Sequence, residues 1–364
     1  MKKVLMLCPT SRSVKNFRMG LISNLISKGC EVTVCAFDSE HEELIRASGA
    51  KFVEVSASNR SINPFSIGKL KKQYISLIKK EAPDVLLTFV LKPNVYGALA
   101  AKKAGVKEVY SFVEGAGDVF VNNSFKWRLI RKYVCIQYKK AFKSVKKVFF
   151  LNSEDRDEFV RRGLLKKEQC EQINGIGVDL SRFEARPIKS YNTFLMIARL
   201  IRPKGVFEFC EAAKIVKQRY KDATFNLLGS EGTIKAEDLK EYTDSGIINY
   251  LGATNDVRPY LENCSVHVLP TYYREGLVMV NMEASSFGRA VISTDNIGTR
   301  ETVKDGYSGF LVETKNAEAV AEKIIYFIEN PDMVEQMGKN ARKYAEEQFD
   351  QRVINDKICR IIGI

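Results

Sequence analysis

Short apolar runs recur along the chain, each followed by a polar or glycine-bearing break and then a stretch with apolar positions three and four apart. The runs predict strands at 3–8, 31–37, 51–55, 84–90, 108–113, 147–151 and 170–174, and a second series at 193–198, 223–228, 247–251, 264–269, 290–294 and 308–312. Helical periodicity fills most gaps, for example 16–28, 65–81, 94–104, 204–220 and 277–287, and continues through 316–362. Strand–helix alternation implies parallel sheets covered on both faces, and continuous rather than alternating apolar runs suit strands buried that way. Two series imply two doubly wound domains. Between them SRFEARPIKSYN (181–192) is polar, contains Pro187 and lacks periodicity. We therefore expect a first Rossmann-like domain over 1–185, a second over 186–345, and a closing helix at 346–364 that packs back on the first domain. No apolar run approaches the ~20 residues of a membrane span. The opening MKKVLMLCPTS has five apolar residues after its lysines, too few for a signal-peptide core, and reads as a buried first strand.

Composition narrows the class. The chain has 364 residues, 45% hydrophobic and 28% charged, which excludes disorder, collagen and coiled coil for the whole chain. The eight cysteines are scattered without a CxxC pair, as expected of reduced thiols in a cytoplasmic protein rather than a zinc or redox motif. With only His41 and His267, histidine triads and multi-histidine metal sites have almost no material. We read His267, inside SVHVLP, as a satisfied core residue.

The charge is lopsided. Residues 1–150 hold 27 Lys and Arg against 11 Asp and Glu; the remainder holds 30 against 33, within a net charge of +13. A half-molecule field of that kind favours an anionic partner, whether nucleic acid or a membrane. The densest segment is SFKWRLIRKYVCIQYKKAFKSVKK (124–147). Trp127, Ile130, Val134, Tyr138, Ala141 and Val145 make one helical face; Arg128, Lys132, Lys139, Lys143 and Lys146 make another. Such a helix fits an anionic membrane surface, and it equally fits a crossover helix with its lysines in water; both hold if they concern opposite faces. KLKKQYISLIKK (69–80) reads the same way. No DNA- or RNA-binding signature accompanies these residues, so nucleic acid is not expected.

Open parallel sheets bind ligands beyond the carboxyl ends of their strands. Three such loops in the second half carry chemistry. Strand 193–198 ends in ARLIRPKGVFEF, placing Arg199 at the strand end and Lys204-Gly205 in the first turn of the next helix, where cations beside exposed N–H groups suit a diphosphate. Strand 223–228 ends in LLGSEG, where Gly229 and Gly232 allow close backbone approach to a ligand, or form a plain turn. Strand 264–269 ends in LPTYYREGLVMVNMEASSFG. There Glu275 and Glu283, eight residues apart, are placed about two helical turns apart on one face to hold ligand hydroxyls. The helix start near Leu277 and Val278 offers free N–H groups to a diphosphate between them. Together the loops describe a pocket for a nucleotide diphospho-sugar.

The order Arg199, Lys204-Gly205, Glu275-Gly276, Glu283 resembles glycosyltransferase family four, as do GVDLSRF (177–183) and LGATNDVRPYLENCSVHVLPTYYREG (251–276). That resemblance spans essentially the whole chain. It implies the GT-B fold, two Rossmann-like domains facing across a cleft, and transfer from a nucleotide sugar with retention of anomeric configuration. It puts the leaving diphosphate on Arg199 and Lys204, donor-sugar hydroxyls on Glu275 and the ribose on Glu283. Gly229, Gly276, Leu277 and Val278 line the donor, and Tyr250 and Leu251 face the base. FRM (17–19), SNRSINPF (58–65) and FVEGAG (112–117) resemble the bacterial branch that extends undecaprenyl-diphosphate-linked sugars, such as N-acetylgalactosaminyltransferases of glycan assembly. On that resemblance Glu114 faces the reacting centre, and the acceptor side falls to Ser11, Arg12, Ser13, Arg18 and Arg60. From its own sequence setting, Glu114 equally reads as a turn carboxylate in a glycine-rich loop. Val278 replaces the usual proline, and the first loop lacks the paired glycines of many members, leaving Ser11, Arg12 and Ser13 in their place. No histidine is expected to face the site from the first half.

The implied partners are a UDP-sugar, a polyprenyl-diphosphate-linked saccharide and an anionic membrane surface, with no cofactor and no metal. The rival readings are a nucleotide-sugar isomerase of similar fold, a non-catalytic membrane-surface binding protein, and a metal-dependent transferase using Asp-x-Asp. The last has a match at Asp155 and Asp157, but these open a helix where Asn152 can cap and acids suit the dipole.

Overall fold

The computed structural model describes residues 1–57, 63–121 and 124–364. All thirteen strands expected from the apolar runs are present. The first unit contains β1 (Lys3–Leu7), β2 (Glu31–Ala36), β3 (Lys51–Glu54), β4 (Val85–Phe89), β5 (Glu108–Val113), β6 (Lys147–Phe150) and β7 (Cys170–Gln172). The second contains β8 (Thr193–Ile197), β9 (Thr224–Leu228), β10 (Asn249–Tyr250), β11 (Val266–Leu269), β12 (Ala290–Thr294) and β13 (Gly309–Val312). The sheet orders are β3-β2-β1-β4-β5-β6-β7 and β10-β9-β8-β11-β12-β13, every pair parallel. This is the doubly wound α/β architecture, twice. β4 and β12 are buried at every position, which explains why neither carries a charge or an in–out alternation; their polar members Thr88, Ser293 and Thr294 are buried and hydrogen-bonded.

In each sheet the strand order reverses at one place, between β1 and β4 and between β8 and β11. The chain leaves each of these strands in opposite directions, so their carboxyl ends open a crevice. Residues at the ends of β8 and β11 are therefore brought together by topology.

The units are Met1–Ile176 with Gln351–Ile364, and Gly177–Asp350. The polar stretch 181–192 is thus no linker; it belongs to the second unit. The buried Arg289 guanidinium donates to the carbonyls of Arg186 (2.6 Å), Pro187 (3.2 Å), Leu261 (2.9 Å) and Glu262 (3.1 Å). Arg342 holds the Phe183 carbonyl at 2.8 Å. These bonds fix a segment whose polarity resembles a surface connection. The Gln351–Ile361 helix packs on the Met19–Ser27 helix of the first unit, where Asp356 accepts from Asn24 (3.1 Å) and pairs with Lys28 (3.2 Å).

The Phe125–Phe142 helix buries Val134, Tyr138 and Ala141, with Val145 just beyond it and Trp127 and Ile130 half-buried. Arg128, Lys132, Lys139 and Lys143 are exposed. The face assigned from spacing is the packed one, as a crossover helix requires. Among the described residues no helix is long and apolar enough to cross a membrane.

Candidate functional site

The donor-type site grows from the β8–β11 switch point. Beyond β8 the chain makes a tight turn at Arg202–Lys204, and the loop beyond β11 wraps its proline. Tyr272 and Tyr273 donate their N–H groups to the Pro203 carbonyl at 2.9 and 3.0 Å, and Thr271 Oγ1 adds a third bond at 3.0 Å. Gly205, at φ 81°, packs its bare Cα on the Pro270 carbonyl, where a Cβ would overlap the oxygen. The absence of a side chain there lets the two loops meet.

Lys204 and Glu275 are brought into a direct ion pair, both only about a fifth exposed. The family resemblance gives these residues separate tasks, diphosphate and sugar hydroxyls; in the structure each partners the other, 71 positions apart in sequence. Lys204 also lies 5.8 Å from the Tyr273 ring centroid. Arg199, two residues past the end of β8, is exposed and makes no ion pair among the described residues.

The following helix runs Met279–Ser286, so Glu275 precedes it by four residues and does not share its face with Glu283. The expected helix-end N–H groups are shifted accordingly. Val278 donates its N–H to Gly298 at 3.0 Å and is not available. Val278 at the N-cap has no side chain that could accept from the first-turn N–H groups, which begin at Met279. The side chains of Leu277 and Val278 are buried. Glu283 is half-buried among apolar neighbours, and burial pushes its carboxyl up to about 7 against the pull of Arg182. Asp256, which adds to that rise, is itself held down at about 2 by hydrogen bonds from Arg258 at 2.6 and 2.8 Å. Arg182 and Asp256 escaped the sequence reading because nothing in linear spacing places them beside Glu283.

Two residues at the β9 edge are engaged within the protein. The bare Cα of Gly229 lies against the Ala198 carbonyl at the end of β8. Tyr250 turns its hydroxyl to the Gly229 carbonyl at 2.9 Å. Leu251, next to it, is 38% exposed, the apolar surface left at this corner.

The first unit differs. The helix expected from residue 16 begins at Ser11 and breaks at Arg18, giving Ser11–Phe17 and Met19–Ser27. Thr10 caps it by accepting the Ser13 N–H at 3.1 Å, so Ser11, Arg12 and Ser13 form a first helical turn, not an open loop. Each is occupied. Ser11 is buried and donates to Asp38; Ser13 donates to the Thr10 carbonyl at 2.7 Å; Arg12 reaches Glu40 at 2.8 Å. His41, unexpected here, donates its backbone N–H to Ser11 Oγ at 3.1 Å. Arg18 is buried, stacked 4.4 Å from the Phe89 ring centroid, and ion-paired with Glu114 at the end of β5. The proposed acceptor cation and the proposed reacting-centre acid are thus one pair. Arg60 lies outside the described residues, with most of SNRSINPF.

Asp155 and Asp157 do not converge. Asp155 is buried, accepting the Ala116 N–H at 3.0 Å and the Asn152 amide at 3.2 Å, while Asp157 is exposed against Arg156. Asn152 caps the Ser153–Arg161 helix. Among the described residues no three His, Cys, Asp or Glu gather as a metal site. His267 is fully buried on β11, and burial lowers its pKa to about 4, so it is neutral. It is a core residue whose ring faces the Leu195 backbone and the Asn281 side chain, both of which oppose that lowering, though neither contact meets strict hydrogen-bond geometry.

Residues 178–344 match the model of glycosyl transferases group 1, and residues 3–152 that of glycosyl transferase 4-like proteins. The chain is 31% identical, over 96% of its length and 95% of the relative's, to the N,N'-diacetylbacillosaminyl-diphospho-undecaprenol alpha-1,3-N-acetylgalactosaminyltransferase of Campylobacter jejuni. It is 28% identical, over 80% and 79%, to an Escherichia coli UDP-Gal:alpha-D-GlcNAc-diphosphoundecaprenol alpha-1,3-galactosyltransferase. Among solved structures, Anabaena HepE in complex with UDP and glucose superposes with a TM-score of 0.80 over all of both chains at 17% identity. A Rickettsia africae glycosyltransferase superposes with a TM-score of 0.81, over 99% of this chain and 97% of that one, at 19% identity. The fold is therefore GT-B.

Proposed function

The chain belongs to the glycosyltransferases of these two matched families, and from that premise we propose that it is a retaining, metal-independent hexosaminyltransferase. It moves an N-acetylhexosamine, such as N-acetylgalactosamine, from a UDP-sugar to a saccharide carried on a polyprenyl diphosphate. The pathway is bacterial surface polysaccharide or glycan assembly, and the enzyme works in the cytoplasm on the inner face of the plasma membrane. The acceptor class is supported by both relatives above, and the transferred N-acetylgalactosamine by the Campylobacter jejuni one; the Escherichia coli relative is a galactosyltransferase.

The observation that carries the reading is the cluster at the β8–β11 switch point: an exposed Arg199, the Lys204–Glu275 pair and an uncapped helix start. A nucleoside diphosphate leaving group needs two cations and oriented N–H groups where its charge develops. Arg199 and Lys204 supply the first, and the turn at Met279 the second. As Lys204 turns to the diphosphate, Glu275 is released to accept from sugar hydroxyls, and Glu283 holds the ribose. Leu251 packs against the base. The anomeric carbon–oxygen bond to the diphosphate breaks while the acceptor oxygen bonds from the same face, and the departing phosphate oxygen takes the acceptor proton. Glu114, fixed by Arg18, orients the acceptor.

The test is nucleotide release from UDP-, GDP- and ADP-sugars with a polyprenyl-diphosphate saccharide acceptor, with and without EDTA. The expected result is UDP release that needs the acceptor, survives EDTA and yields an α-linked product from an α-donor. Isomerised donor without acceptor, or activity abolished by EDTA, contradicts it.

A further inference from the structure

The Phe125–Phe142 helix has an unpartnered side. Phe125, Leu129 and Ile136 are 75%, 55% and 44% exposed, although their spacing of four and seven places them on one stripe. This stripe lies opposite the packed face of Val134, Tyr138 and Ala141. Basic residues border it: Lys126 and Lys140 on one flank, Arg128, Lys132 and Lys139 on the other, all exposed. A soluble surface gains nothing from setting large apolar side chains between cations.

The second flank is concave. Arg128, Arg131, Lys132 and Lys139 of this helix and Arg162, just past the Ser153–Arg161 helix, line a cavity of about 490 Å³ that Ile136 also enters. Arg162 is paired with Glu158 at 2.7 and 3.0 Å. Arg128, Lys132 and Lys139 make no ion pair among the described residues, and cations lining one cavity repel one another unless an anion enters.

From these two features we propose that the cavity is a headgroup site for an anionic bilayer phospholipid, holding its phosphate while Phe125, Leu129 and Ile136 enter the acyl boundary. A phosphate beside an apolar tail is the chemistry both features share. Nucleic acid satisfies the cations but leaves the stripe in water. The acceptor's own diphosphate fits less well. The cavity sits along the middle of an 18-residue helix and at the far end of the next one, whereas Glu114 lies at the carboxyl edge of the sheet. The proposal rests on the peripheral-membrane part of the reading above and not on its chemistry.

The full chain is floated with phosphatidylcholine vesicles with and without phosphatidylglycerol. Wild type is compared with the cavity variant Arg128→Glu/Lys132→Glu/Lys139→Glu and with an equally charged change elsewhere, Lys102→Glu/Lys103→Glu/Lys107→Glu. At roughly fivefold per basic residue near an anionic leaflet, the cavity variant is expected to lose about a hundredfold in affinity for the phosphatidylglycerol vesicles, and the control a few-fold. Phe125→Ser/Leu129→Ser/Ile136→Ser is expected to lose binding to the same vesicles with its charge intact. Equal losses in the two charge variants reduce the site to a diffuse field and overturn it. So does binding that needs polyprenyl-diphosphate saccharide in the vesicles, or displacement by a single-stranded oligonucleotide. Wild type that floats with neither vesicle overturns both the site and the membrane reading. UDP release by wild type with a water-soluble acceptor analogue, measured alongside, shows whether the transferase reading survives.

Discussion

The two switch points share a topology and differ in what they do with charge. Around the β1–β4 switch point the named polar side chains among the described residues have protein partners: Ser11 with Asp38, Arg12 with Glu40, Arg18 with Glu114. Between β8 and β11 the cation Arg199 is exposed, a helix start is uncapped, and Glu283 is held at about 7 by burial. The first is satisfied as it stands. The second stores unsatisfied electrostatics that a dianionic ligand relieves. The acceptor's reacting saccharide end, neutral and rich in hydroxyls, asks for rigid hydrogen-bond geometry, and a nucleoside diphosphate asks for charge. The same fold accommodates both by what it leaves unpaired.

The comparison breaks most visibly at Arg18. Removing one member of a buried pair strands the other charge, so Arg18→Met is expected to lower unfolding stability by about 3–5 kcal/mol in denaturant titrations. Arg18→Met/Glu114→Gln is expected to recover most of that loss. A single variant as stable as wild type would show that the first unit is not locked by this pair.

Glu283 sharpens the other side. Its folded pKa, about 7, lies above the ordinary carboxyl value, so the folded protein binds the extra proton. Stability is therefore favoured at low pH and falls as pH rises through the window from about 4.5 to 7, by roughly 2–3 kcal/mol at this one group. Glu283→Gln is expected to flatten that fall and to be more stable than wild type at pH 8. Parallel pH profiles for the two proteins would remove Glu283 as a strained group.

Arg12 carries the smallest effect. Its pair with Glu40 is exposed, and such pairs rarely register. Arg12→Ala is expected to leave thermal stability and acceptor KM unchanged. A raised KM would return Arg12 to the acceptor side, where the sequence placed it.

What was legible follows from the same physics. Strands buried on both faces write themselves as apolar runs; the partly exposed β7 and β10 were legible only through the apolar residues that flank them, Ile173 and Ile247, Ile248 and Leu251. The site residues Arg199, Lys204, Glu275 and Glu283 were visible because strand ends and helix starts are linear features. Their pairing was not. Lys204 meets Glu275 across 71 positions and Arg18 meets Glu114 across 96, contacts that exist only once each sheet is ordered. Arg18 interrupts an apolar periodicity that continues through it, so one helix was expected where a buried cation makes two. Val278 was read as a free donor because its claim by Gly298 comes from the loop after β12, which linear spacing does not place there.

The central claim is that the β8–β11 switch point is the nucleotide site. Calorimetric titration of UDP into wild type and into Arg199→Ala/Lys204→Ala, both in EDTA, addresses it directly. Each charge-assisted contact is worth about 1.5–3 kcal/mol, so the double variant is expected to bind at least a hundredfold more weakly. Equal affinity in the two proteins, or no UDP binding by wild type, would contradict the claim.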